Sequence, residues 1–122
     1  MTRYEKLVQA LTILEQNGVT LPMKEDEWRT RPEAESYGLV SMDFEAGSLD
    51  GDSIKLDAAY EGSVDLFSRD KRGGGWRPLI EAALQEHCGA CWSLNSRQYE
   101  RETGLGHWEW SFQITDEEAG DE

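Results

Sequence analysis

The chain has 122 residues, and its 25 acidic side chains against 12 basic ones leave a net charge of −13. Such a length builds one domain around one core, and such a charge excludes a protein that holds duplex DNA through its phosphates. No apolar run reaches bilayer-spanning length, the opening Met-Thr-Arg-Tyr-Glu-Lys lacks the apolar block of an export signal, and two cysteines are too few for a disulfide scaffold and fit reduced thiols in a cytoplasm.

In chain order, Thr2 to Asn17 predicts an amphipathic helix, because Tyr4, Leu7, Val8, Leu11 and Leu14 recur at steps of three and four. Thr2 and Glu5 have the spacing of a capping box, and Gly18 suits the left-handed residue that ends a helix. Val19 to Pro22 reads as a short edge strand stopped by proline. A charged stretch, Lys24 to Arg31, surrounds Trp28. Ser36 to Glu45 is extended, but Tyr37, Val40, Met42 and Phe44 do not all fit one face of a strand. Gly47 to Asp52 is a turn-rich acidic loop, and Ile54, Leu56 and Ala58 alternate in a further strand. Tyr60 to Ser68 is extended again, with Val64, Leu66 and Ser68 on one side and Asp65 and Phe67 on the other. Arg69 to Gly75 ends in three glycines and reads as a mobile loop. No Gly-Lys-Ser/Thr follows those glycines, which argues against a phosphate cradle.

The clearest pattern runs from Trp76 to Ile114. Leu79, Ile80, Ala83 and Leu84 mark one face of a helix over Trp76 to Cys88, with Pro78 in the first turn and Gly89 as the stop. Cys91 to Tyr99 is extended, Glu102 to Gly106 turns the chain, and His107 to Ile114 returns as a strand. In that last strand Trp108, Trp110, Phe112 and Ile114 alternate with His107, Glu109, Ser111 and Gln113, the period of a half-buried hairpin strand. The element order predicts an α+β domain over residues 1–114: a mainly antiparallel sheet, an N-terminal helix and a second helix packed on one face, and a C-terminal β-hairpin. Residues 115–122 form an acidic tail expected to be frayed.

Four constellations bear on chemistry. His87, Cys88, Cys91 and His107 supply four possible ligands for a zinc alternative, but only one Cys-x-x-Cys is present, and it follows a helix rather than preceding one, which disfavours redox chemistry. The expected reading is no metal and no cofactor. Asp43, Glu45, Asp50, Asp52, Asp57, Asp65, Glu100, Glu102 and Glu109 offer acid–base pairs, but no nucleophile or metalloprotease motif accompanies them, and the expected reading is not an enzyme. The basic cluster Arg69, Lys71, Arg72 and Arg77, interrupted by Asp70 and the glycines, is placed to meet an acidic neighbouring subunit. Trp28, Trp76, Trp92, Trp108 and Trp110 exceed what a small core encloses, so core and subunit interface share them; the predicted interface set is Trp28, Arg69, Lys71, Arg72, Trp76, Arg77, Trp108 and Trp110.

The run Ser63-Val64-Asp65-Leu66-Phe67-Ser68, a glycine-containing loop, an amphipathic helix, then Trp92 to Glu100 and Thr103 to Phe112 resembles the small tail proteins of tailed phages and prophages. The nearest type is the tail terminator, or tail completion, group. The likeness lies in element order and aromatic-rich strands; it covers the second half of the chain, and the first half by a helix followed by strands. It implies a non-enzymatic virion structural protein, a subunit of a hexameric ring that ends tube growth at the head-proximal end of the tail and joins it to the neck. The implied partners are further copies of itself, tail-tube protein and head-connector protein, with no sequence-specific nucleic acid and no membrane. The implied location is the virion tail and neck, and the host cytoplasm during assembly. An acidic lumen would repel passing DNA, and the Gly47–Asp52 and Arg69–Gly75 loops would order on assembly. The alternative is an acidic phage-encoded inhibitor or DNA mimic, of the anti-restriction or anti-CRISPR kind, that binds a basic host nuclease.

Overall fold

The computed structural model describes residues 2–45 and 59–115. The expectations for Gly47 to Asp52, for Ile54, Leu56 and Ala58, and for the acidic tail from Asp116 onward lie outside them.

Helix α1 spans Arg3–Thr12. Its start follows from local chemistry: the Thr2 hydroxyl accepts from the Glu5 N–H at 3.1 Å, and the Glu5 carboxylate accepts from the Thr2 N–H at 2.9 Å. It buries Tyr4, Leu7 and Leu11. The helix is shorter than its apolar spacing predicts. Asn17 and Gly18 both have positive φ, 55° and 80°, and form the two-residue turn of a hairpin between β1 (Glu15–Gln16) and β2 (Val19–Thr20). An Asn-Gly pair adopts that primed-turn geometry more readily than any other, and here it overrides the helical pattern that Leu14 extends. The Leu21 N–H donates to the Leu14 carbonyl at 3.0 Å, which closes the hairpin at its base.

A five-stranded sheet follows, in the order β3 (Met23–Glu25), β4 (Ser36–Glu45), β5 (Ala59–Ser68), β7 (Leu105–Thr115), β6 (Trp92–Glu100). The β3–β4 pair is parallel, and the others are antiparallel. With helix α2 (Trp76–Cys88), this is the α+β architecture the element order predicts. The ambiguity in β4 is resolved by pairing. Gly38, Val40 and Met42 stand opposite Leu66, Val64 and Gly62 on the helix side, while Tyr37, Leu39 and Ser41 face the other way, and the register slips between Met42 and Phe44. At Gly62 the backbones come so close that a Cβ would meet the Ser41 carbonyl oxygen and the Phe112 ring.

Both helices lie on one face of the sheet. Their apolar sides meet Val40, Val64, Leu66, Trp108, Trp110, Phe112 and Ile114, and all seven are buried. Tyr4 stacks on Phe112 with ring centroids 6.3 Å apart. The Trp110 indole N–H donates to the Glu81 carboxylate on α2 at 2.9 Å, so a fully buried ring keeps its one polar atom paired. The Gly73–Gly75 segment is a 3₁₀ turn with φ of 85°, 65° and 84°. The Gly74 carbonyl accepts from Gln16 Nε2 at 2.9 Å. These glycines therefore meet a conformational demand at the start of α2, which corrects their reading as a loop ordered only on assembly.

Trp110→Ala is expected to lower the unfolding free energy in urea by about 3–5 kcal/mol, because it opens a large cavity at the centre of the core. Trp28→Ala, at a half-buried ring outside that core, is expected to cost about 1–2 kcal/mol.

Candidate functional site

The alternation that fills the core also builds the opposite face of the sheet, which no described helix covers. Two rows cross it. In the first, Ser41, Ser63, Ser111 and Ser93 stand opposite one another on four successive strands. In the second, Tyr37, Phe67 and His107 are cross-strand partners. The Tyr37 and Phe67 rings stack at 5.0 Å, and Phe67 and His107 at 4.2 Å. Trp28 closes the row edge-on to Tyr37 at 6.2 Å, held there by its indole N–H, which donates to the Gly38 carbonyl at 2.9 Å. Between the 26–35 loop and this row lies an open hollow of about 560 Å³, with Arg29 and Arg31 on the loop side and Phe67 and His107 on the sheet side.

His107 is the electrostatic centre of this face. Its Nε2 is 2.8 Å from an Asp65 carboxylate oxygen, and its Nδ1 is 3.4 Å from Glu100. The hydrogen bond to Asp65 is the main cause that raises its pKa above the ordinary histidine value; burial opposes this, and the charges of Asp65, Glu100 and Glu109 add to it. Glu109 stands directly opposite Asp65 in the register. Two like charges at such a site repel, and the imidazolium between the strands offsets that repulsion. Chemically the group sets an imidazole, whose protonated form these acids favour, among carboxylates and against an aromatic ring.

The predicted interface set separates into two groups. Trp108 and Trp110 are 1% and 0% exposed and Trp76 is 6% exposed, so all three belong to the core and present no indole to a partner. This corrects their placement at an interface; core and interface favour the same amphipathic rings, and composition alone does not tell them apart. Trp28 lies on the outer face. Arg69, Lys71 and Arg72 are exposed on the turn after β5, and Arg77 is half-buried at the start of α2 with its guanidinium 5.9 Å from the Trp108 ring. Arg77 Nε and Trp108 Nε1 are buried without an acceptor.

Around this cluster the structure adds Arg97 and Tyr99, which the sequence reading missed. Strict alternation along β6 would put Ser96 and Gln98 on the helix side with Trp92 and Leu94. A register shift between Leu94 and Ser96 places Arg97 and Tyr99 there instead, Arg97 opposite Trp108 and Tyr99 opposite Gly106. Helix α2 covers only the start of β6, where the Trp92 indole N–H donates to Gln85 at 3.1 Å. Beyond it, Lys71, Arg97, Gln98, Tyr99, Gly106 and Trp108 enclose a pocket of about 370 Å³. Lys71 Nζ sits 5.9 Å from the Tyr99 ring.

The zinc alternative is not assembled. His107 is on the outer face, bonded to Asp65, while Cys88, the last residue of α2, is buried in the core and Cys91 is exposed just before β6. No group of three potential metal ligands occurs among the described residues. Burial first, then the neighbouring Cys91, pushes the Cys88 thiol up to about 12, so a thiolate is disfavoured there.

A thiol reagent is expected to modify Cys91 in the native protein and Cys88 only on unfolding, read by peptide mass. The raised His107 pKa carries a definite sign. Its stabilisation is complete below the unfolded value near pH 6.5 and is lost as pH rises through the folded value. The stability difference between wild type and His107→Gln should therefore be largest below about pH 6.5 and shrink as pH rises above it, measured by denaturant unfolding. Glu109→Gln should add about 0.2–1 kcal/mol at the alkaline end, where the Asp65–Glu109 repulsion is least offset.

No protein-family model and no curated protein matches this chain.

Proposed function

We propose that the chain is a non-catalytic assembly subunit, a tail terminator-like structural protein of a phage or prophage that closes into a ring at the head-proximal end of the tail and joins tube to neck. The observation that carries this reading is the unfinished side of the sheet. Among the described strands β6 is an edge of nine residues, and no described helix lies over its second half. Along the strand Leu94 is 37% exposed and Tyr99 55% exposed, beside Lys71 and Arg97, neither of which makes an ion pair among the described residues. An edge with free N–H and C=O groups and an exposed aromatic is adhesive surface, and a ring requires such surface to be met by a different patch on the next copy. The outer face, with its row of small serines, leaves room for a second layer. No described helix is long and apolar enough to cross a membrane; the virion tail and neck, with the host cytoplasm during assembly, are part of the proposal.

One observation favours the second reading, an acidic inhibitor that enters the basic groove of a nuclease: Asp65 and Glu109 stand opposite each other on the open face with Glu61 on the same side. That reading requires a solitary molecule, and the two part on mass. Sedimentation across a range of concentrations, with electron microscopy of the protein mixed with its neighbouring tail-tube protein, is expected to show a ring and capped tubes. A chain that stays monomeric at all concentrations, leaves tubes uncapped and inhibits a nuclease would overturn the ring.

A further inference from the structure

Among the described strands the five-stranded sheet ends in two that have a partner on one side only, β6 at one edge and β3 at the other. The Gln113 N–H of β7 donates to the Cys91 carbonyl at 2.9 Å, so the odd-numbered residues of β7 bond toward β6. Their partners Ser93, Ser96 and Gln98 are thereby engaged, and Leu94, Arg97 and Tyr99 turn their backbone N–H and C=O groups outward. On β3 the Pro22 carbonyl accepts from the Gly38 N–H at 2.8 Å, and the Asp26 N–H donates to the Val40 carbonyl at 2.9 Å. Met23 and Glu25 therefore turn their N–H groups outward. The two edges are level with each other. Cross-strand partners run in one row from Met23 through Gly38, Leu66 and Trp108 to Arg97, and in another from Glu25 through Val40, Val64 and Trp110 to Leu94. The edges also run in opposite directions, because three antiparallel pairings and one parallel pairing lie between them.

We propose that β6 of one copy adds to β3 of the next as an antiparallel pair, so that one sheet continues from subunit to subunit; this rests on the ring reading and supplies its contact. A second copy set in line brings Arg97 opposite Met23 and diagonal to Glu25, a separation that long side chains bridge. Both belong to rows on the helix side of the sheet. Charge favours this pairing. Arg97, and Lys71 near it in the same recess, make no ion pair among the described residues. Asp70, the acid nearest Lys71 in sequence, is turned onto its own backbone, where its carboxylate accepts from the Arg72 N–H at 2.8 Å. Glu25 is exposed, and one of its carboxylate oxygens accepts from the Tyr4 hydroxyl at 3.0 Å, which holds the acid at its edge. The pairing also covers Leu94 and Tyr99, the exposed large apolar side chains of β6. Joining unlike edges leaves a free β3 and a free β6 at the two ends, so the contact repeats head to tail, as a closed ring requires.

A charge swap in the full chain tests this, read by sedimentation. Arg97→Glu and, separately, Glu25→Lys should each weaken assembly by about tenfold or more. An equimolar mixture of the two should assemble, because every contact in an alternating ring then joins opposite charges, and a chain carrying both changes should assemble by itself. Both side chains are exposed, and circular dichroism checks that each variant is folded. Amide hydrogen exchange reads the backbone part in the wild-type chain: on assembly the N–H groups of Met23, Glu25, Leu94, Arg97 and Tyr99 should exchange about tenfold more slowly or less. Three results would each overturn this pairing and leave the ring reading standing: assembly unaffected by either swap, assembly lost in both and restored neither by mixing nor by combining the changes, and edge amides that exchange as fast in the assembled chain as in the free one. A wild-type chain that never assembles would overturn both.

Discussion

The placement of two tryptophans, a phenylalanine and an isoleucine on alternate positions of β7 governs the rest of the structure. Trp108, Trp110, Phe112 and Ile114 are all but fully buried, so β7 has one acceptable register. A slip by one residue would turn these four to solvent and bring His107, Glu109, Ser111 and Gln113 under the helices. Such large rings need a layer against them, and both helices supply it: α2 with Ile80, Ala83 and Leu84, α1 with Tyr4, Leu7 and Leu11. Glu81 then has to be where it is, because a buried indole N–H without an acceptor is costly.

The outer face inherits that register. Because Trp108 points in, His107 points out, and its neighbours across the sheet are Phe67 and, one row on, the Asp65–Glu109 pair. On the inner face apolar residues and helical stripes agree and the Trp110 N–H is paired, while Trp108 Nε1 and Arg77 Nε are buried without a partner. The outer face carries a like-charged cross-strand pair, a histidine held among acids, and a tryptophan brought over from a loop.

What the sequence revealed and what it hid divide along sequence distance. β4, β5 and β6 were legible as extended segments, and α2 and β7 most clearly, since each of those two carries a strong period and α2 is bounded by Pro78 in its first turn and Gly89 after its last residue. The end of α1 was not, since Leu14 continues the spacing of Leu7 and Leu11 while the Asn17-Gly18 turn three residues further on decides the backbone. The parallel pairing of β3 with β4 has no local sign at all. Nor does the irregularity in β6, a single-residue shift that moves Arg97 and Tyr99 to the helix side and with them the whole basic pocket. Tyr37, Phe67 and His107 are separated by thirty and forty positions, and only register reveals that they stack.

A net charge of −13 makes copies of this chain repel at distance, and that repulsion is screened beyond about 10 Å at ordinary ionic strength. Assembly of such a subunit must then rest on close contacts where opposite charges meet and water is partly excluded. The recess at Lys71 and Arg97 has those properties, with Tyr99 and Trp108 as its apolar walls. A contact set at one end of the sheet would, in such a ring, direct association rather than merely permit it: diffuse repulsion disfavours every orientation, and such a place would favour one. In the proposed ring, the excess of acid that looks hostile to self-association is what makes the contact selective.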